Sequence, residues 1–161
     1  MIYMQRLSLL LQCLLSFVYS AVAQMRTSSY GIKQGLPDNT VNCIVQDNRG
    51  FIWTGTSNGL AQFDGMFFTM FRHSNNDTTS ISNNNVHSLL AAEHGLYIAT
   101  DYGVNYYSYM DSKFHRCKIK AKHKTGNSFI SLVETSGGVF VFDDLGRLYR
   151  SADNKTQFNS I

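Results

Sequence analysis

One segment of this chain recurs. Residues 41–65 read VNCIVQDNRGFIWTGTSNGLAQFDG, residues 86–109 read VHSLLAAEHGLYIATDYGVNYYSY, and residues 129–150 read FISLVETSGGVFVFDDLGRLYR. Val41 aligns with Val86, Gly50 with Gly95, Thr56 with Thr100 and Gly59 with Gly103; in the looser third copy Gly146 falls near Gly59 and Gly103. The offset is 43 to 45 residues. A fixed period of that size marks a repeat architecture, in which each unit buries its apolar surface on a neighbour.

Each copy reads as short strands. In the first, an apolar start (Val41, Ile44, Val45) ends at a turn signal, residues 47–50. An aromatic and β-branched run, residues 51–56, follows, then the Asn58-Gly59 hairpin signal, a third strand over 60–64 and, after Gly65, a fourth over 67–72. The second copy predicts strands over 86–91, 96–100, 104–108 and 114–118; the third over 129–134, 139–143, 148–150 and 157–161. No helical periodicity occurs after the first 23 residues, and turn signals come every 8 to 12 residues. The fold class is therefore all-β: a partial β-propeller of about three four-stranded antiparallel blades after a cleaved signal peptide. The expected boundaries are residues 1–23 for the signal, 24–35 for an N-terminal strand able to close a ring, 36–80 and 81–125 for two blades, and 126–161 for a third, incomplete one.

Repeat positions have structural readings. Gly59, Gly103 and Gly146 are placed at hairpins where a Cβ would clash, and Gly55 where adjacent blades approach. Trp53, Phe63, Phe67 and Phe71 supply area for blade-to-blade packing. Thr56, Leu60, Asp64, Gly65, Gly95 and Thr100 complete the set of structural repeat positions.

The signal segment has a basic start at Arg6, an apolar core over residues 7–19 and a small-x-small site at Ala21-Val22-Ala23, with cleavage after Ala23. Its core of 13 residues is short of the roughly 20 needed to span a bilayer, and no second apolar stretch follows, so no membrane span is expected in this chain. The expected location is periplasmic or secreted. Without Arg6 the remainder carries 13 Lys and Arg against 11 Asp and Glu, which is not the balance of a nucleic-acid binder. Of the two cysteines left, Cys43 and Cys117, each is read as a small, partly buried residue without a disulfide.

No catalytic constellation emerges: there is no phosphate-binding glycine loop, serine elbow or pair of carboxylates on one element. His73, His87, His94, His115 and His123 lack metal-ligand spacing and read as loop or surface residues, so neither metal nor cofactor is expected. Asp143-Asp144 reads as a turn initiator, with a cation or sugar-hydroxyl contact as the alternative. Lys118, Lys120, Lys122 and Lys124 alternate; they would share one face of a strand, deterring edge pairing or binding an acidic polysaccharide or a membrane surface. Tyr102, Tyr106, Tyr107 and Tyr109 offer rings for sugar stacking, though alternation makes about half of them packing residues. Asn76 and Asn154 begin glycosylation sequons, which mean little if the source is bacterial. The sequence names no ligand-contacting residue, because such residues lie on loops.

Gly35-Leu36-Pro37-Asp38-Asn39, Val41, Ile44, Gln46-Asp47, Gly50-Phe51-Ile52-Trp53, Gly55-Thr56, Asn58-Gly59-Leu60 and Phe63-Asp64-Gly65 together resemble the two-component regulator propeller repeat. Residues 80–86 look like the start of a second such repeat, with Tyr97 in the tryptophan's place and Ala99 in that of the glycine; the third copy keeps little beyond spacing. The resemblance implies the opening part of the periplasmic sensor of a hybrid two-component histidine kinase. In that family two seven-bladed propellers precede an immunoglobulin-like domain, a membrane helix, a histidine kinase and often receiver and DNA-binding domains. It also implies an oligosaccharide ligand, membrane tethering and a dimer for the full-length receptor, and no enzymatic activity in this chain. Residues 26–33 are then expected to lack a partner, and three blades with exposed outer faces to be poorly soluble or partly unfolded. The alternatives are a free-standing secreted binding or scaffold propeller, or a fragment of a secreted propeller polysaccharide lyase or hydrolase. Mass spectrometry of the exported protein is expected to find Gln24 at its N-terminus; a mature form still carrying residues 1–23 would show an uncleaved anchor instead.

Overall fold

The computed structural model describes residues 3–6, 12, 27–122, 125–126, 128–152 and 155–161. Most of the signal segment with the expected cleavage at Ala23, and also His123, Lys124 and Asn154, lie outside these residues. The fold is all-β, as three consecutive sheets. The first contains β1 (Val41–Gln46), β2 (Ile52–Thr56), β3 (Gly59–Phe63) and β4 (Phe68–Phe71). The second contains β5 (Val86–Ala92), β6 (Gly95–Thr100), β7 (Gly103–Ser108) and β8 (Lys113–Arg116). Each is an antiparallel meander. The third adds β9 (Lys118–Lys120) to β10 (Phe129–Thr135), β11 (Gly138–Asp143), β12 (Leu148–Ser151) and β13 (Gln157–Ser160), in the order β10-β11-β12-β13-β9.

Two expectations change here. The third repeat has its fourth strand, β13, so its sheet is not incomplete. The strand expected over residues 114–118 breaks at Cys117: β8 pairs with β7, while β9 crosses over and pairs with β13 in parallel. Cys117 donates its N–H to Val104 O (2.8 Å) in the second sheet, and Lys118 donates to Thr156 O (2.8 Å) in the third. One extended segment thus joins two blades. Lys118 and Lys120 are exposed on this edge strand.

The blades stack because β-strands carry apolar side chains on both faces. On the six fully buried residues of β6, Leu96 and Ile98 join Trp53, Leu60, Ile81, Val86, Tyr107 and Phe114 between blades one and two. Tyr97 and Ala99, pointing the other way, join Val104, Tyr106, Phe129, Val141, Tyr149 and Phe158 between blades two and three. Close approach is set by glycine. A Cβ at Gly55 would stand 2.6 Å from Val86 Cγ1 in the next blade, and one at Gly95 would enter the Tyr106 ring. The hairpin glycines differ from the expectation: at Gly59 a Cβ would meet Phe71 O at 2.9 Å, but at Gly146 nothing lies within 4 Å, and only its φ of 72° demands glycine. Phe67 does not pack between blades, being 67% exposed.

The turns that hold these strands reuse one device. Asp47 Oδ1 accepts the N–H of Arg49 (3.0 Å) and Phe51 (3.1 Å), while Oδ2 accepts Trp53 Nε1–H (2.9 Å). Asp143 does the same: Oδ1 accepts the N–H of Leu145 (3.1 Å) and Arg147 (2.8 Å), and Oδ2 accepts Tyr149 O–H (2.8 Å). Asp-x-x-Gly-x-x-(Trp/Tyr) therefore folds as one unit in both places, with Gly50 and Gly146 at positive φ. Gly146 shares the turn chemistry of Gly50 but stands in the second-to-third-strand turn of its sheet, the place that Gly59 holds in the first. Gly138, in the first-to-second-strand turn, shares the local chemistry of Gly59 and Gly103: Thr56, Thr100 and Thr135 each donate a hydroxyl to the carbonyl three residues on.

The N-terminal segment also departs from expectation. Residues 27–31 form no strand, and Ile32–Gln34 is a 3-10 turn. The segment nevertheless packs on the outer face of blade one: Tyr30 meets Phe63 (5.2 Å between centroids) and Phe68 (5.7 Å), and Arg72 Nη2 donates to Pro37 O (3.2 Å). Leu36 is buried there.

Burial would raise the Asp47 carboxyl, but the Trp53 and Arg49 hydrogen bonds outweigh it and hold it below the ordinary 3.8. Asp143 is likewise lowered, against its burial, by the Gly126 and Arg147 amides, the Tyr149 hydroxyl and the Leu145 amide. Depressed carboxyls stabilise a fold above their unfolded value, and the contribution is lost as pH falls through the folded value. Asp47→Asn should cost about 2–3 kcal/mol at pH 7 in urea unfolding, and the wild type should lose that advantage as pH falls below about 4. An equal deficit at pH 7 and pH 2 would place the effect in packing instead.

Candidate functional site

β5 lies against both β1 and β10, so the first strands of the three blades stand side by side. Each carries a bulge at the same place. Val41 pairs with Thr56 and Cys43 with Gly55; Val86 with Thr100 and Ser88 with Ala99; Phe129 with Asp143 and Ser131 with Phe142. Asn42, His87 and Ile130 are the extra residues. A bulge frees a residue from the ladder and re-aims its side chain, which is why bulges gather beside functional sites.

The second-strand to third-strand turns lie at this same end. Ser57 N–H donates to Thr40 O (3.2 Å), Gly59 N–H to Asn84 O (2.7 Å) and Asp144 N–H to Ser128 O (2.9 Å), joining those turns to the segments that enter the first strands. Asp101, in the middle turn, is the hub. Its Oδ1 accepts from Ser128 Oγ (2.9 Å) and contacts His87 Nε2 (2.6 Å); its Oδ2 accepts from Asn85 Nδ2 (3.0 Å). Asn42 Nδ2 extends the chain of contacts to Asn85 Oδ1 (3.3 Å) and Val86 O (2.8 Å). Beneath them, Ser82, Thr100 and Asn105 form a tighter network: Ser82 N–H donates to Asn105 Oδ1 (3.0 Å), and Asn105 Nδ2 to Ser82 Oγ (2.8 Å). Side chains from three blades thus meet at one end, with the Asp101 side chain 32% and that of His87 26% exposed. Burial works against ionisation of Asp101, but the His87, Asn85 and Ser128 hydrogen bonds prevail and keep its carboxyl below the usual value. The arrangement offers both donors and acceptors to a polar ligand.

The other candidate residues distribute as follows. Asp64 accepts the N–H of Met66 (2.8 Å) and Phe67 (2.7 Å), closing the turn that holds Gly65. Tyr102 is exposed at the candidate end; Tyr106 and Tyr107 are buried on opposite faces of β7; Tyr109 is half-buried, with the Arg49 guanidinium 3.8 Å above its ring. Asp143 is committed to its turn. Cys43 and Cys117 are free, and burial raises their thiols to about 11 and about 12. His73 bonds within its loop, His115 lies on β8 with its Nε2 3.3 Å from Asp111 Oδ2, and His94 is exposed beside Glu93. His87 was not separable from them by spacing, yet the pairing of Val86 with Thr100 places it next to Asp101. Among the described residues, no group of three or more His, Cys, Asp or Glu is placed to hold a metal ion, and no helix is long and apolar enough to cross a membrane.

Asp101→Ala should cost about 1 kcal/mol in urea unfolding, because water can reach the three freed donors. A loss as large as that of Asp47→Asn would make Asp101 a structural anchor and not a surface hub.

Comparison with known proteins follows the same line. Residues 35–58 match the family model described as Two component regulator propeller. A 48-residue stretch is 46% identical to Histidine kinase P4 of Formosa agariphila, covering 30% of this chain and 4% of that protein. The extracellular domain BT4673 of B. thetaiotaomicron, described as a putative one component system, superposes with a TM-score of 0.66 at 23% identity over 83% of this chain and 21% of that one. A second structure of it, described as a putative hybrid two component system, gives a TM-score of 0.65 at 24% identity over 84% and 21%. The chain thus shares the fold of this extracellular domain and spans about a fifth of its length.

Proposed function

We propose that this chain forms part of the extracytoplasmic sensor of a two-component system, and that it contributes to reading an oligosaccharide at the Asp101 end of its blades. The chain is exported by residues 1–23, and the longer receptor is tethered to the membrane, dimeric and continued by a histidine kinase. The observation that carries the reading is the bulge repeated at Asn42, His87 and Ile130 around the Asp101 hub. Sugars present many hydroxyls that both donate and accept. A ring of Asn, His, Asp and Ser drawn from several blades matches that chemistry, and the exposed Tyr102 beside Asp101 adds a ring face for stacking. The family match at residues 35–58 and the shared sensor fold support the same assignment.

The test is calorimetric titration of neutral and acidic oligosaccharides into the extracytoplasmic region that contains this chain. Saturable binding is expected, and Asp101→Ala should weaken it about tenfold or more while the melting temperature drops only slightly. Absence of binding by every oligosaccharide tried, or binding unchanged in Asp101→Ala, would overturn the reading.

A further inference from the structure

The strand that leaves the second blade seats itself on the third. β9 pairs in parallel with the outer edge of β13, setting Lys118 beside Gln157, Ile119 beside Phe158 and Lys120 beside Asn159. Ile119 takes the face of Phe158 and packs against the core between blades two and three. The same place one blade earlier is the outer edge of β8. Cys117 N–H donates to Val104 O (2.8 Å) as Ile161 N–H donates to Leu148 O (3.1 Å), so Phe114 and Phe158, each three residues earlier, are equivalent. Backbone groups alternate along a strand; with Cys117 N–H directed at β7, the N–H and C=O of Phe114 and Arg116 face outward. β8 is the last strand of its sheet, and among the described residues no backbone bond reaches this edge. The blade-one counterpart of β9 is residues 72–74, which follow Phe71 opposite Leu60. They are held elsewhere: Arg72 donates to Pro37 O (3.2 Å) and Asn58 O (3.2 Å), His73 N–H to Asn84 Oδ1 (2.7 Å) and Ser74 N–H to Ser80 Oγ (3.0 Å). Beside Phe114, between β4 and β8, lies a cavity of about 340 Å³ whose lining includes Met70, Phe71, Ile81 and Lys113. Phe114 meets Phe71 there edge-on (5.1 Å between centroids), and Met70 is half-exposed. A side chain beside Phe114 on an added strand enters this cavity, as Ile119 meets the core beside Phe158. Asp77 on its wall is committed to the N–H and hydroxyl of Thr79 (2.8 and 2.6 Å). Lys113 is exposed and makes no ion pair among the described residues, while His115 already lies beside Asp111 (3.3 Å).

We propose that the outer edge of β8 docks an extended peptide of a partner protein as a parallel strand. An acidic residue of that peptide stands beside Lys113, and the large apolar residue after it stands beside Phe114 and fills the cavity. Main-chain bonds to the edge supply affinity, and the cavity and Lys113 supply specificity. β9 shows the ladder: Lys118 N–H donates to Thr156 O (2.8 Å), and a parallel ladder repeats every two residues. On β8 the residue after the large apolar one therefore donates to Phe114 O. The β9 of a second copy is a poor occupant, because it sets Lys118 against Lys113, and like charges directly opposite destabilise a strand pair. The proposal stands apart from the sugar-sensing reading, since it uses the outer rim of the blades and no residue of the Asp101 hub.

The experiment follows fluorescence anisotropy of a labelled peptide, Thr-Glu-Phe-Thr-Thr-Ser, on titration with the extracytoplasmic region that contains this chain. Saturable binding is expected below about 1 mM. Replacing the peptide's glutamate by lysine should weaken it about tenfold or more, and Lys113→Glu, at an exposed position, should reverse that preference. N-methylation of the threonine after the phenylalanine removes the donor to Phe114 O and should abolish binding. Hydrogen–deuterium exchange supplies the second readout: the amides of Phe114 and Arg116 should exchange fast in the free protein and slow when peptide is added. No saturable binding, equal affinity of the N-methylated peptide, or a charge preference that survives Lys113→Glu would overturn the proposal. So would protection of Phe114 and Arg116 without peptide: if independent of concentration, the receptor's own chain covers the edge, and if it rises with concentration, a second copy does.

Discussion

Trp53 is where turn chemistry and blade packing meet. Its indole N–H is held by Asp47 within its own hairpin, and its ring lies against Phe71 and Tyr107, the latter from the next blade. The carboxylate orients the ring, and the ring seals the interface. A sheet with apolar residues on both faces needs a neighbour on each side, and the second blade has both, which is why every residue of β6 is buried. The third blade repeats the solution in another position, with Tyr149 bonded to Asp143 and packed against Phe129. Moving the Asp-x-x-Gly unit from the first hairpin to the second kept its chemistry, because the unit depends only on its own backbone amides and one ring donor.

That transposition explains what the sequence hid. The period, the strand count and most strand limits were legible, because β-branched and aromatic runs alternate with Asn, Asp and Gly at turns. Gly146 stands in the second-to-third-strand turn, where its alignment with Gly59 and Gly103 puts it, but its positive φ does not tell which turn chemistry it carries. Its neighbours Asp143 and Tyr149, three residues to each side, carried the distinguishing signal. The break at Cys117 left no such mark, since Phe114 to Lys120 reads as one extended run and only the partners change. The N-terminal segment was read as an unpaired strand; it lacks a ladder, but Tyr30 finds an aromatic surface that blade one would otherwise expose.

The candidate site was less legible than the fold. A bulge inserts one residue without changing the residue types around it, so Asn42, His87 and Ile130 look like ordinary strand positions. Only the registers reveal that three equivalent residues leave the ladder together. The same holds for Asp101, which in sequence is a turn residue before Tyr102 and in space accepts from His87, Asn85 and Ser128. The repeat keeps the backbone constant and leaves the bulged side chain free to vary. A propeller can in this way present different chemistry from each blade on a common frame.

The most direct test of that account is hydrogen–deuterium exchange of the sensor region with and without a saturating oligosaccharide. Protection is predicted at residues 42, 85–87, 101 and 128–130, the end at which the bulges and the Asp101 hub lie. Protection confined to the opposite turns, residues 48–50, 93–94 and 136–137, would contradict it.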